Sequence, residues 1–459
     1  MSEKISPTST SRFASRLAQS LSIRTLVVML LGLLVLIPLF LVEDVIQERG
    51  QYHRNVLDEV ASTWGGQQTL IGPLLVVPYV EHFTSVDTVT DPNGESRVVS
   101  KDIYNDRTAI LLPKELEIRS DLKEEQRQRG IYNALVYTAS LSLTGQFDHT
   151  PLLQSSEGER RISWDKAYVM VGISDTKAID VASSLFWGDE RINLEPGTRM
   201  TELLPGGFHA PLPADADGNT SHQFKLTMSL RGSDQLLFAP LGETTKIRMT
   251  SSWTHPSFKG SLLPEKREIS EQGFNAEWNI PHLVRNYPQY WEVTDKQTYP
   301  LQDFVVGASL YEPVSLYTKV IRAVKYGALL FVGLTFLVLL AFEISLKRRF
   351  HVLQYLIVGA ALSLFFLILL ALAEQIGFLY AYLAAASATI LLITLYMKAI
   401  LRDKRRTGLV FLLLAALYSV LYLILQMEDY ALLAGVVLLV VATGGMMYVT
   451  RHLQQADQV

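Results

Sequence analysis

Six uninterrupted apolar stretches constrain this 459-residue chain more than anything else in it. They are Leu26–Val42, Tyr326–Phe342, Val352–Ala373, Ile376–Met397, Leu409–Leu425 and Ala431–Tyr448. Each is close to the roughly 20 residues that a helix needs to cross hydrocarbon. A single stretch of this kind would also suit a buried helix of a soluble protein. Five of them crowded into the C-terminal third, with charges only between them, do not. The chain is 49% hydrophobic with a formal net charge of −4, so nothing points to a nucleic-acid partner. It has no cysteine, which removes disulfides, thiol catalysis and cysteine-bound metal.

Lys and Arg near the ends of spans mark the cytoplasmic side. Lys4, Arg12, Arg16 and Arg24 precede the first span. Lys347, Arg348 and Arg349 follow the second, Lys398, Arg402, Lys404, Arg405 and Arg406 the fourth, and Arg451 the sixth. The remaining short turns hold Glu374 with Gln375, and Glu428 with Asp429, and carry no cation. The alternation puts both termini inside and residues 43 to about 320 outside. Lys319, Arg322 and Lys325 lie on the opposite side from this pattern; their spacing suits the charged face of an interfacial helix. Glu43-Asp44-Val45-Ile46 stands where a signal-peptide cleavage site needs small residues, so the first span reads as an uncleaved anchor. Ahead of it, Phe13, Leu17 and Leu21 recur every four residues, as in a short helix on the inner leaflet.

Beyond the first span Tyr52, Val56, Val60 and Trp64 continue the helical period until Gly65-Gly66. The period then becomes two. Ile131, Leu135, Tyr137, Ala139, Leu141, Leu143 and Phe147 share one parity, opposite Thr138, Ser140, Ser142 and Thr144. Phe224, Leu226, Met228 and Leu230 alternate likewise, as do Ile247, Met249 and Trp253, and Phe274, Ala276, Trp278 and Ile280. Such strands with Gly/Pro punctuation predict an antiparallel β-sandwich or an irregular β-barrel. The polar stretches 87–101 and 213–222 read as exposed loops.

The expected fold is therefore an α-helical multi-span membrane protein with six transmembrane helices and a large β-sandwich-like domain inserted between helices 1 and 2. Its expected parts are a cytoplasmic segment 1–25, a transmembrane helix 26–42, a β-rich domain 43–320, a bundle of five transmembrane helices 321–451 and a cytoplasmic tail 452–459.

The stretch WTHPSFKG, residues 253–260, raises the question of catalysis, because His255 and Ser257 lie two residues apart. Pro256 cannot continue a central ladder, and Ser257 lacks the flanking glycines of a G-x-S-x-G elbow. A bend between strands is the favoured reading. Seven of the nine histidines, at 53, 82, 149, 209, 222, 255 and 282, fall in the β-rich segment without H-x-H or H-E-x-x-H spacing. There is no P-loop and no dinucleotide fingerprint. No residue is thus assigned as catalytic, cofactor-binding or metal-ligating, and no cofactor is expected.

In the membrane half, Glu343 and Lys398 read as snorkelling residues near cytoplasmic ends, and Gln354, Thr335, Thr389 and Thr394 as deeper neutral groups bonded to their own backbone. Ala381, Ala384, Ala385, Ser387 and Ala388 suggest one small-residue packing surface, with Gly435 and Gly444 doing the same on the last span.

STWGGQQTLIGPLLVVPY (62–79), RGIYNALVYTASLSLTGQF (129–147) and GSDQLLFAPLGETTKIRMTSSWTHPSFKGSLLP (232–264) resemble the CreD family of bacterial inner-membrane proteins. So do GFNAEW (273–278), RAVKYGALLFVGLTF (322–336) and HVLQYLIVGAALSLFFLILLALAEQIGF (351–378). The resemblance covers nearly the whole chain beyond the first 20 residues. It implies a Gram-negative inner-membrane protein with a large periplasmic domain, tied to envelope integrity and to a two-component response to envelope or cell-wall stress. It implies no catalytic residues. Val352 departs from the pattern, where proline commonly follows the histidine, and so does Gln375, where histidine is common.

The function expected is support of envelope integrity by binding, with the lipid bilayer and a periplasmic envelope or cell-wall component as partners. One alternative is an enzyme acting at the outer leaflet on a lipid-linked or wall-derived substrate, with His255, Ser257 or His282 as candidates. Another is a transporter, with Gln354 and the threonines on its path.

Overall fold

The computed structural model describes residues 21–90, 96–153, 159–180, 182–213, 222–293, 299–310, 316–346 and 350–426, together with 433, 436, 437, 440 and 444. The chain divides into two compact units, one of Met1–Arg54 with Val314–Val459, the other of Asn55–Pro313.

The first unit is helical. α1 (Leu21–Trp64) runs without a break through Glu43 and Asp44, and contains Pro38. α2 is Leu316–Leu346, α3 Val352–Ile376, α4 Phe378–Leu401 and α5 Lys404–Gln426. α1 and α2 run antiparallel: a Cβ added at Gly50 would lie 3.4 Å from Tyr317, and one at Gly32 would lie 3.8 Å from Phe336. α3 approaches α1 at Gly359, where any side chain would overlap Val35. Four helices among the described residues are long and apolar enough to span a membrane: Thr25–Trp64, Val352–Ile376, Phe378–Leu401 and Lys404–Gln426. They match four of the six expected spans. α2 runs through the expected Tyr326–Phe342 span without counting among the four, and the Ala431–Tyr448 span falls almost wholly outside the described residues, as does the leaflet helix before residue 21.

The expected small-residue surface of α4 divides in two. Ala381 and Ala385 are buried with Ala386 and Thr389, whereas Ala384, Ser387 and Ala388 are exposed.

The second unit is β-rich. α1 ends where Gly65 takes φ +144°, a conformation open to glycine, with its N–H bonded to Ala61 O. Trp64 is held between the Arg127 and Arg231 guanidiniums, 4.1 and 5.2 Å from its ring centre, while its Nε1 donates to Tyr137 O at 3.2 Å.

Eighteen strands follow in chain order: β1 (Gln68–Thr90), β2 (Ser96–Leu111), β3 (Pro113–Arg129), β4 (Tyr132–Phe147), β5 (Glu159–Ile162), β6 (Tyr168–Ile173), β7 (Ser184–Trp187), β8 (Glu190–Ile192), β9 (Glu195–Pro196), β10 (Gly207–Pro211), β11 (His222–Ser233), β12 (Gln235–Phe238), β13 (Thr244–Ser251), β14 (Pro256–Gly260), β15 (Lys266–Ser270), β16 (Gly273–Pro281), β17 (Tyr290–Glu292) and β18 (Val306–Leu310). One sheet has the order β14-β18-β12-β1-β6-β10-β9, with β2, β5 and β17 joined beside β1 and β2. The other runs β15-β16-β13-β3-β4-β11-β7-β8. Among the described residues each sheet carries one parallel pair, β1 with β12 and β3 with β13, within the otherwise antiparallel arrangement that was expected.

Most of the alternating residues behave as their period demands, but before Tyr137 the buried side of β4 belongs to Tyr132, Ala134 and Val136, and Leu135 is half-buried. Tyr137, Ala139, Leu141, Leu143 and Phe147 are buried, with Phe224, Leu226, Met228 and Leu230 of β11 and Phe274, Ala276, Trp278 and Ile280 of β16, in one core fed by both sheets. Ile131 is exposed, because it sits in the turn before β4. The polar stretch 87–101 belongs largely to β1 and β2, which pair in register from Leu75↔Leu111 to Thr90↔Ser96. Among the described residues, β5 covers the far edge of β1 as far as His82, and Thr108 O, bonded by Val293 N, is the last outward contact on β2. Past those points the described residues leave the two strands paired only with each other. The expected loop at 213–222 lies outside the described residues from 214 to 221.

Candidate functional site

β13 and β14 belong to different sheets, and WTHPSFKG carries the chain between them. β13 ends at Ser251, so Trp253 is only half-buried and its Nε1 turns to donate to His255 O at 3.1 Å. His255 is exposed, its ring edge-on to Trp253 at 6.4 Å. Ser257 pairs with Ser309 in β14, an edge strand that can begin with Pro256 because one of its edges needs no partner. Phe258 meets Phe274 and Trp278 edge-on, each at 5.9 Å, and so closes the core.

His282 is elsewhere. It follows Pro281, which pairs with Thr244 at the start of β13, and its Nδ1 faces Glu243 O at 3.3 Å. Seven residue steps along β13 at about 3.4 Å each put that end roughly 24 Å from the bend that carries His255. His255 and Ser257 are neighbours in the chain, but His282 is not brought to them. Among the described residues no group of three or more His, Asp or Glu side chains is arranged to hold a metal ion.

The β-rich unit also holds a polar centre that no spacing in the sequence announces. Arg160 of β5 donates to Glu292 of β17 at 2.8 Å and to Tyr290 Oη at 3.2 Å, and lies 3.6 Å from Glu81 of β1. Its guanidinium also stacks over the Tyr79 ring at 4.9 Å. Arg107 of β2 adds a second cation 3.9 Å from Glu81. Burial, reinforced by the Glu292 carboxylate, pushes the Tyr79 hydroxyl far above its usual range. Burial would also raise Glu292, but the hydrogen bond from Tyr290 at 3.1 Å and the charge of Arg160 outweigh it and hold this carboxyl below 4.5. Two cations face two carboxylates, so the centre is neutral as a whole. It ties β1, β2, β5 and β17 together.

The polar residues of the helical unit also differ from expectation. Glu343 does not snorkel: it is 4% exposed, and Tyr355 of α3 donates to its Oε2 at 2.8 Å. Gln354 is no mid-depth group but part of a cap, its Oε1 accepting from His351 N at 3.0 Å while His351 Nδ1 accepts from Leu353 N. Thr335 and Thr389 are buried; Thr335 Oγ1 has no hydrogen-bond partner among the described residues. At the other end of the α2–α3 pair the roles exchange, Tyr317 of α2 donating to Glu374 of α3 at 2.9 Å, with the His53 ring 5.3 Å from Tyr317. Each helix lends one tyrosine and one carboxylate.

A family model described as "Inner membrane protein CreD" matches residues 20–455. The inner membrane protein CreD of Escherichia coli (strain K12) is 32% identical over 426 residues, covering 92% of this chain and 90% of that protein. Among solved structures, a mutant M1 zinc metallopeptidase from Deinococcus radiodurans, bound to a Tyr-ser-ala substrate, matches 37% of this chain and 39% of its own at 11% identity and a TM-score of 0.20. Another structure of that peptidase gives 9% identity and a TM-score of 0.19 over 37% of this chain and 38% of its own. Likeness at that level carries no argument about fold or chemistry.

Proposed function

The chain belongs to the CreD family of inner membrane proteins, and from that footing we propose that it supports cell-envelope integrity by binding an envelope or cell-wall component through a periplasmic β domain. The apolar helices and the family together support residence in the inner membrane. In the proposed topology both termini are cytoplasmic, residues 43–320 form the periplasmic domain and 321–451 the helical bundle, following the Lys/Arg alternation.

The observation that favours binding over catalysis is the separation of His282 from the His255–Ser257 bend. A serine nucleophile needs a base within hydrogen-bond reach and a third group to orient it. Here His255 is exposed against a tryptophan and Ser257 lies in an edge ladder.

The test is crosslinking in cells under envelope stress, followed by purification of the full chain. Capture of a wall or envelope component by the β domain is expected. The reading falls if nothing is captured and His255→Ala, Ser257→Ala or His282→Ala abolishes envelope protection at unchanged protein level.

A further inference from the structure

The chain changes sheet within a single residue. β11 ends at Ser233 in one sheet, β12 begins at Gln235 in the other, and only Asp234 lies between them. Asp234 takes φ +62°, a left-handed conformation that a short polar residue tolerates. Two other chain segments meet at this turn. The first is the exit of α1: Gly66 O accepts from Ser233 N at 3.1 Å, and Gln67 Nε2 donates to Asp234 Oδ2 at 2.6 Å. Gln235 Nε2 in turn donates to Gln67 Oε1 at 3.0 Å. The second is the end of β18, after which α2 begins at Leu316. Here Ser309 Oγ donates to Asp234 Oδ1 at 2.9 Å, and Leu310 N to Asp234 O at 2.7 Å.

Asp234 therefore gives one carboxylate oxygen to each of the chain connections that continue into α1 and α2. Both connections belong to the ten-stranded sheet, through β1 and β18. β11 belongs to the other sheet, held to β4 along its whole length from His222↔Phe147 to Ser233↔Val136. A one-residue link covers only about 3.8 Å per Cα step and has no slack, so a shift of one sheet past the other falls on Asp234. Packed layers do move in this way, by small sliding displacements between discrete arrangements. We propose that Asp234 is a conformational joint, which passes a displacement of the β11 sheet to both helix connections at once. The joint is independent of which ligand, if any, the β domain takes.

Hydrogen–deuterium exchange of the full chain, purified in mild detergent, tests this. Among the described residues no hydrogen bond joins Gln67 to Leu310, so independent anchors would leave each other's amides alone. Gln67→Ala should nevertheless raise exchange at the Leu310 amide roughly threefold, the worth of a hydrogen bond between exposed groups. Ser309→Ala should do the same, from the opposite side, at the Ser233 amide. Asp234→Gly accepts the positive φ without strain and removes the carboxylate. In that background Gln67→Ala should add nothing at Leu310, as a double-mutant cycle requires of residues coupled through the carboxylate. Ala276, in the middle of β16, should exchange as in the parent throughout. An unchanged amide at Leu310 in Gln67→Ala, or at Ser233 in Ser309→Ala, overturns the joint. So does a rise at Leu310 that is equal with and without the carboxylate, or faster exchange at Ala276 in the same variants.

Discussion

Tyr355 donates its hydroxyl to Glu343 at 2.8 Å across the α2–α3 interface, and both residues are buried. A carboxyl group taken out of water depends on the donors it meets there, and removing one costs about 1–3 kcal/mol. Tyr355→Phe should therefore lower the thermal midpoint of the purified full chain clearly. Tyr317→Phe should do so less, because Glu374 is half-exposed and water can replace the lost donor. Equal melting of Tyr355→Phe and the parent would mean that other groups satisfy Glu343 unaided.

Two tryptophans near the same bend should respond differently. Trp278, 2% exposed in the middle of β16, should cost about 3–5 kcal/mol on truncation to alanine. Trp253 lies beyond the end of β13 and is half-buried, so Trp253→Ala should cost less than half as much. Chemical denaturation of both variants checks the order; a larger loss at Trp253 would place it deeper than its accessibility implies.

Ser257→Ala removes a hydroxyl from an edge strand and should change stability by under about 0.5 kcal/mol. Phe258→Ala removes a ring that packs against Phe274 and Trp278, and should cost several times more. Abundance and envelope-stress survival, measured side by side, separate packing from chemistry. A well-expressed Ser257→Ala protein that no longer protects cells would point to catalysis.

Glu292 should mark the acid limb of stability. Its folded value lies below 4.5, so on acidification the unfolded state takes up the proton first. The stabilisation is complete above about 4.5 and is lost as pH falls through the folded value. Tryptophan fluorescence followed from pH 6 to pH 2 should show a shallower acid limb for Glu292→Gln. An unchanged limb would show that the Arg160 centre does not govern acid unfolding.

Reporter fusions at residues 150 and 215 should give periplasmic signals, and fusions at 349, 404 and 459 cytoplasmic ones, as the Lys/Arg alternation requires. A cytoplasmic signal at 150 would invert the proposed topology.

Sequence and structure agree where the residues obey a single period. Phe274, Ala276, Trp278 and Ile280 lie on a strand with one face in the core, and their parity alone gives their burial. Trp253 misleads because parity was carried two residues past the end of β13. Glu343 misleads because its partner, Tyr355, belongs to the next helix, and no local pattern shows a contact made by packing. Gln354 looks deep by position in an apolar run, yet it sits in the first turn of α3, where capping decides its place. Arg160, Glu81 and Glu292 come from three separated segments, so only folding brings their charges together. The 87–101 stretch looks like a loop because successive residues such as Val98, Val99 and Ser100 are all exposed, so no hydrophobic alternation marks the strand there.

That stretch of β1 and β2 has a consequence for amide exchange. Thr108 O turns outward to Val293 N, and in an unbroken antiparallel register residues of equal parity turn the same way. The N–H groups of Val98, Ser100, Asp102, Tyr104 and Asp106 therefore face away from β1, while those of Val99, Lys101, Ile103 and Asn105 bond to it. On β1, the amides of Thr84, Val86 and Thr88 face outward past His82, where the pairing with β5 among the described residues stops. Deuterium should enter this ribbon at every second residue, and the same comb of open amides is what an added strand would have to meet.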